Sequence, residues 1–142
     1  MKSLKELLDA KGYAVWSVDP DSTGMDAIKL MAEKSVGALL VMKGDEVVGI
    51  VSERDFARKV ILMDKSSRQT LVREIMTTRV LTVSMTETAE ECLAVMTEKR
   101  IRHLPVVDGN RVVGVVSIGD LVKAVISDQK FMIEQLTNYI GM

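Results

Sequence analysis

Aromatic residues make up only 4% of the 142-residue chain, too few for a platform on which single-stranded bases stack. An excess of one charge is also lacking. Nineteen Lys and Arg face 20 Asp and Glu, giving a net charge of -1 and a pI near 5.9. A general nucleic-acid binder needs a basic face, which this balance does not supply. Weak single-strand binding through Arg54, Arg58, Lys59, Lys65 and Arg68 is the form such a function could take, and the acidic balance opposes it. The lone Cys92 excludes an internal disulfide and fits a reducing compartment. One histidine and one cysteine leave too few ligands for a zinc site. No apolar run reaches membrane-spanning length. Met1 to Lys11, with Leu4, Leu7 and Leu8, reads as an amphipathic helix rather than a leader. The expectation is a soluble, cytoplasmic protein with no membrane partner.

Catalytic motifs are absent as well. There is no phosphate-loop lysine motif and no G-x-G-x-x-G. No strained-elbow sequence surrounds any serine, so His103 has no nucleophile to serve. Glu90-Glu91 reads as a helix N-terminus that favours negative charge. Neither an enzyme nor a catalytic cofactor is expected.

What is present is apolar residues, at 47% enough for a sizeable core, and a repeating order of elements. Ten methionines are many for this length, and Met25, Met31, Met76, Met85 and Met96 are expected to fill core or interface gaps. Met1 to Gly12 predicts a helix closed by its glycine, and Tyr13 to Val18 a strand. Thr23 caps a helix reaching Lys34, with Asp26 three residues on. Ala38 to Met42 and Glu46 to Ser52 pair across the turn at Lys43-Gly44-Asp45. Glu53 to Met63 predicts a helix with Phe56, Ala57, Val60 and Ile61 inward. After a polar connection, with one or two helical turns at Leu71 to Met76, the pattern restarts. Val80 to Val83 predicts a strand, and Thr88 with Glu91 opens a helix whose apolar face is Cys92, Leu93, Val95 and Met96. His103 to Val107 and Arg111 to Ser117 form a hairpin. A final helix from Ile118 to about Tyr139 has Leu121, Val122, Val125 and Ile126 inward.

The two halves align without a gap. Gly44 falls on Gly109, Val47-Val48-Gly49 on Val112-Val113-Gly114, Val51-Ser52 on Val116-Ser117, and Asp55 on Asp120. Core constraints explain the shared valines. They do not explain a shared Gly, Ser and Asp at fixed spacing on a hydrophilic edge. Glycine admits close approach to the backbone. A serine at a strand-to-helix junction offers an oxygen and free N–H groups suited to anions. An aspartate one turn on can accept hydrogen bonds from a diol such as a ribose. Either heptapeptide alone reads rather as a strand end, a serine cap and a solvated aspartate. Each β-α-β-β-α unit is too small to be stable by itself, so the two copies are expected to pack about a pseudo-twofold axis.

Gly49-Ile50-Val51-Ser52-Glu53-Arg54-Asp55 and Gly114-Val115-Val116-Ser117-Ile118-Gly119-Asp120 resemble the signature of CBS domains: Gly, two apolar residues, Ser or Thr, two variable residues, then Asp or Asn. Arg102-His103-Leu104-Pro105-Val106-Val107 resembles the family's second-strand motif, and Glu74-Ile75-Met76-Thr77 the segment leading into a repeat. The chain thus looks like a tandem CBS pair, or Bateman module, of the stand-alone bacterial type. The fold class this implies is mixed α/β (α+β): two CBS repeats with N- and C-terminal helices. The expected boundaries are an N-terminal helix at 1–14, repeat one at 15–62, a linker at 63–79, repeat two at 80–127 and a helical tail at 128–142.

The resemblance implies a regulatory module for adenosine ligands (AMP, ADP, ATP, NAD or S-adenosylmethionine) held in clefts between repeats. It would signal by changes in repeat or dimer geometry to a separate effector protein, and the chain would form a homodimer. Asp55 and Asp120 would bind ribose. Ser52, Arg54 and Arg58 in one cleft, and Ser117, Lys123, Arg102 and His103 in the other, would face phosphate. Ser17, Val18, Gly37 and Ala38, and Thr82, Val83, Ile101 and Pro105, would hold adenine. Arginine pairs bidentately with phosphate, so the Ser52–Asp55 cleft is expected to prefer the more heavily phosphorylated ligand. The alternative is a dimeric scaffold with vestigial clefts, using the apolar stretch Phe131, Met132, Ile133, Leu136, Tyr139 and Ile140 for partner contacts.

Overall fold

A computed structural model describes residues 1–141; Met142, within the expected tail, lies outside the described residues. The chain divides into two units, one of residues 15–80 and one that joins residues 1–14 to residues 81–141. Each carries one copy of the repeat.

In the first-repeat unit, β1 (Ser17–Val18) runs parallel to β2 (Ala38–Lys43), and β2 pairs antiparallel with β3 (Glu46–Ser52). Helix α2 (Gly24–Lys34) crosses between β1 and β2. Its cap is Thr23, whose side chain accepts from the Asp26 N–H. Ala27 and Met31 on α2, Leu39, Val41 and Val51 on the sheet, Val60, and Val72 and Ile75 make one buried cluster. The last two sit on α4 (Val72–Ile75), inside the expected linker. That segment is fastened to the unit by backbone bonds from Gly24 to Thr70 (2.8 Å) and from Val72 to Ser22 (2.8 Å).

The second-repeat unit repeats the pattern with β4 (Val83–Ser84), α5 (Ala89–Lys99), β5 (His103–Asp108), β6 (Arg111–Ser117) and α6 (Ile118–Ile140). A reciprocal capping box between Thr88 and Glu91 opens α5, so one of the two adjacent glutamates is held as a cap. The core includes Cys92, Met96, Leu104, Val106, Val116 and Leu121. Burial pushes the Cys92 thiol up to about 12, with the charges of Glu87 and Glu91 adding to it. Helix α1 (Leu4–Lys11) belongs to this unit: Leu4, Leu7 and Leu8 are part of its core. The chain before α1 pairs with the approach to α5, with the Leu4 N–H on Glu87 O (2.8 Å) and the Ala89 N–H on Lys2 O (3.0 Å). Residues 1–14, the expected N-terminal helix, belong to the unit of repeat two.

Three expectations change. Tyr13 to Val18 and Val80 to Val83 shrink to two-residue strands, because the parallel ladders with β2 and β5 cover Ser17–Val18 and Val83–Ser84. The helix expected over Glu53 to Met63 is α3 (Glu53–Phe56) running into a π-helical turn at Ala57–Ile61, with the Leu62 N–H reaching back five residues to Ala57 O (3.0 Å). The expected inward faces were too wide. Ile61 is 65% exposed and Ile126 57%, and Ala57 and Val122 are also exposed. A helix shows its core one stripe of i, i+3 and i+4; in α6 that stripe is Leu121, Ala124 and Val125. Val122 and Ile126 lie on the neighbouring stripe.

Candidate functional site: the two Ser–Asp edges

Each outer strand of a hairpin, β3 or β6, ends in a serine that caps the helix after it. The cross-strand partners of Ser52 and Ser117 are Ala38 and His103. The carbonyl of the residue before each partner accepts from the new helix: the Glu53 N–H donates to Gly37 O (3.0 Å) and the Ile118 N–H to Arg102 O (2.9 Å). The start of β2 or β5, the end of β3 or β6 and the first helical turn are thus tied into one edge. In both units the aspartate closes a capping box, its N–H on the serine Oγ and its carboxylate on the serine N–H. These bonds measure 3.2 and 3.0 Å for Asp55, and 3.1 and 2.8 Å for Asp120.

The glycines that open the motifs are buried where another element crosses. A Cβ on Gly49 would meet Met76 and the backbone oxygen of Thr77, and one on Gly114 the methyls of Leu8. The close approach expected of these glycines is to the protein's own α4 and α1 segments.

The twins then differ in how they use the carboxylate. Asp55 is engaged at both oxygens. Its Oδ1 pairs with Lys59 Nζ (3.1 Å), which also donates to Ile75 O (2.9 Å), and its Oδ2 accepts from the Ser52 hydroxyl (3.1 Å) as well as the Ser52 N–H. In the other unit, position 124 (matching Lys59) is alanine. Its cation comes from α1 instead: Lys11 Nζ pairs with Asp120 Oδ2 (2.5 Å) and donates to Val115 O (2.7 Å). Burial pushes the Asp120 carboxyl up, but the Lys11 and Ser117 hydrogen bonds more than offset it and hold it below the ordinary value. Asp120 is therefore an anion at neutral pH.

The remaining predicted residues spread around these edges. Arg54, Arg58, Arg102 and Lys123 are exposed, and none has a carboxylate partner among the described residues. His103 is half-buried beside Lys11 and Asp120. Burial first, then the Lys11 charge, pulls it below its ordinary value, so it would meet a ligand as a neutral imidazole. Ser17 and Thr82 are exposed. Val18, Gly37, Ala38 and Ile101 are half-buried, and Pro105 is buried. Val83 is a core residue of its own unit. Lys11 and Lys59 were not predicted. Lys59 had a signal, its i+4 spacing from Asp55; Lys11 had none, lying 109 residues from its partner.

A profile of the CBS domain matches residues 12–62 and 72–127. The chain belongs to the CBS-domain family. The CBS domain-containing protein CBSX3, mitochondrial, of Arabidopsis thaliana is 39% identical over 136 residues, covering 92% of this chain and 66% of that protein. A solved protein with CBS domains from Burkholderia ambifaria MC40-6 is 51% identical with a TM-score of 0.87, over 90% of this chain and 96% of that one. The CBS domain pair of protein MJ0100, solved in complex with 5′-methylthioadenosine and S-adenosyl-L-methionine, is 25% identical with a TM-score of 0.79, over 90% of this chain and 98% of that one. CBS pairs are regulatory ligand-binding modules. Among the described residues no helix is long and apolar enough to cross a membrane.

Proposed function

We propose that this CBS pair is a regulatory sensor of adenosine ligands, binding them at the Ser52–Asp55 and Ser117–Asp120 edges and passing the signal to an effector protein. The observation that carries the reading is the twinned edge itself: the same serine, aspartate and capping box at matched positions, each with a lysine on its carboxylate. A family member seen with two adenosine compounds supports the ligand class. In this reading Asp55 and Asp120 accept the ribose hydroxyls, and Ser17, Val18, Gly37 and Ala38, or Thr82, Ile101 and Pro105, flank the base. Val83 offers backbone rather than side chain. Arg54 and Arg58 suit a longer phosphate chain such as that of ATP; Ser117, Arg102 and Lys123 suit a single phosphate, with His103 a neutral neighbour. The ligand signals only as far as it binds one conformation better than another.

Thermal unfolding in the presence of AMP, ADP, ATP, NAD and S-adenosylmethionine tests this. A ligand at a hundred times its dissociation constant stabilises by about 2.7 kcal/mol, which raises the midpoint of a chain this size by about 5–10 °C. The rise is expected to shrink in Asp55→Ala or Asp120→Ala and vanish in the double variant. A rise that survives both substitutions would reject the site. No rise with any of the five would favour the second reading, a self-associating scaffold. The observation behind that reading is the exposed Phe131, Met132, Ile133, Leu136, Tyr139 and Ile140 on α6.

A further inference from the structure

The two edges share a sequence pattern but draw the cation on their aspartate from different elements. In the first-repeat unit the Ser52 hydroxyl proton is spent on Asp55 Oδ2, and Lys59 covers Oδ1. Both carboxylate oxygens and the hydroxyl are thus engaged within the protein. In the second-repeat unit Asp120 Oδ2 takes the Ser117 N–H and the Lys11 ammonium. Ser117 Oγ accepts from the Asp120 N–H, and the Ser117 side chain also hydrogen-bonds the Asp120 carboxylate. Asp120 Oδ1 has no partner among the described residues. That edge therefore presents one free carboxylate oxygen beside a fixed cation brought in from α1.

Lys11 is the origin of this difference. Its backbone is anchored, because Leu4, Leu7 and Leu8 of the same helix are core residues and the Gly12 N–H closes α1 on Leu8 O (2.6 Å). Its ammonium is anchored by Val115 O as well as by Asp120. It also neutralises an aspartate that would otherwise repel an anion.

We infer that Lys11 is the specificity-determining residue of the second-repeat edge, making it select adenosine ligands that carry a phosphate over those that do not. This rests on the adenosine-ligand reading. The ribose goes to Asp120 Oδ1, the phosphate takes the Ser117 hydroxyl, and Lys11 supplies charge through the shared carboxylate. Removing Lys11 leaves Asp120 an uncompensated anion beside the phosphate.

The test is calorimetric titration of the full chain with AMP and with adenosine, in an Asp55→Ala background so that only the second-repeat edge is read. Lys11→Met is expected to lower the AMP-to-adenosine affinity ratio by on the order of tenfold, the effect of one unit charge acting on a dianion at an intermediate effective dielectric. Lys11→Arg keeps the cation and is expected to retain most of the ratio. Lys5→Met, which removes an α1 charge paired with Asp9, is expected to leave it unchanged. A ratio unaltered in Lys11→Met while AMP still binds overturns the role of Lys11 and leaves the ligand reading standing. A fall equal in Lys5→Met also overturns it, since any α1 charge would then serve. If neither compound binds the Asp55→Ala protein, the ligand reading falls at this edge and the role of Lys11 with it.

Discussion

Replacing Leu8 by alanine is expected to cost about 2–5 kcal/mol of folding stability, the range for truncating a large side chain in a packed core. Leu8 is 0% exposed, and its methyls lie where a Cβ on Gly114 would be, at 2.8 and 2.9 Å. It thus fills the space that the motif glycine leaves open on β6. The cavity would be lined by β6 and α1, both held by backbone bonds that resist collapse. Urea denaturation measures the loss, and Leu62→Ala is the control, because Leu62 is 77% exposed and an exposed position usually moves stability by about 0.5 kcal/mol or less. Equal losses in the two variants would mean that α1 is not part of the core of repeat two.

Gly49→Ala is the second large effect, and its comparison with Gly114→Ala carries the information. A Cβ on Gly49 would stand 2.7 Å from Met76 Sδ and 2.9 Å from Thr77 O. The sulfur can move. The carbonyl cannot easily do so, because Ile50 and Thr77 exchange two backbone bonds of 3.0 and 2.9 Å. At Gly114 the close atoms are the two methyls of Leu8, the far end of a side chain. Overpacking of this kind costs about 1–3 kcal/mol, and loss of glycine's freedom in the unfolded chain returns about 0.4–1 kcal/mol. Gly49→Ala should therefore be net destabilising, and clearly more so than Gly114→Ala. The reverse order in urea midpoints would contradict the crossing of β3 by the Met76–Thr77 segment.

Much of this was legible in the sequence because it is written locally. The hairpin strands, the Thr23, Thr88 and Ser117 caps and the capping boxes follow from spacing within one or two turns, and the repeat made each visible twice. The Gly–x–x–Ser–x–x–Asp pattern likewise led to two real strand-to-helix edges. What escaped was set by partners far along the chain. Nothing near Leu4, Leu7 and Leu8 says which repeat they serve, since they precede repeat one and pack in repeat two. Nothing near Lys11 points to Asp120. The width of an apolar stripe on α6 was misread for a related reason. Val122 and Ile126 are apolar enough for a core, and only the geometry of the sheet decides which stripe meets it.

The expectation of unequal sites also changes in content. It rested on Arg54 and Arg58 against Gly119 and Lys123, a count of charges within each motif. The structure adds a cation from outside the motif, Lys11. In the proposed reading the inequality then lies in the source of each cation, with Asp120 Oδ1 left without a partner among the described residues where Asp55 Oδ1 is paired with Lys59.

Titration of the isotopically labelled protein with AMP, followed by amide chemical shifts, puts the central claim to the most direct test. The account predicts that the largest saturable shifts fall on Ser117, Gly119 and Asp120, with Ser52, Arg54 and Asp55 following at equal or higher ligand concentration. Saturable shifts confined to other surfaces, such as α6 beyond Asp128, or no shifts at all with millimolar AMP, would contradict it.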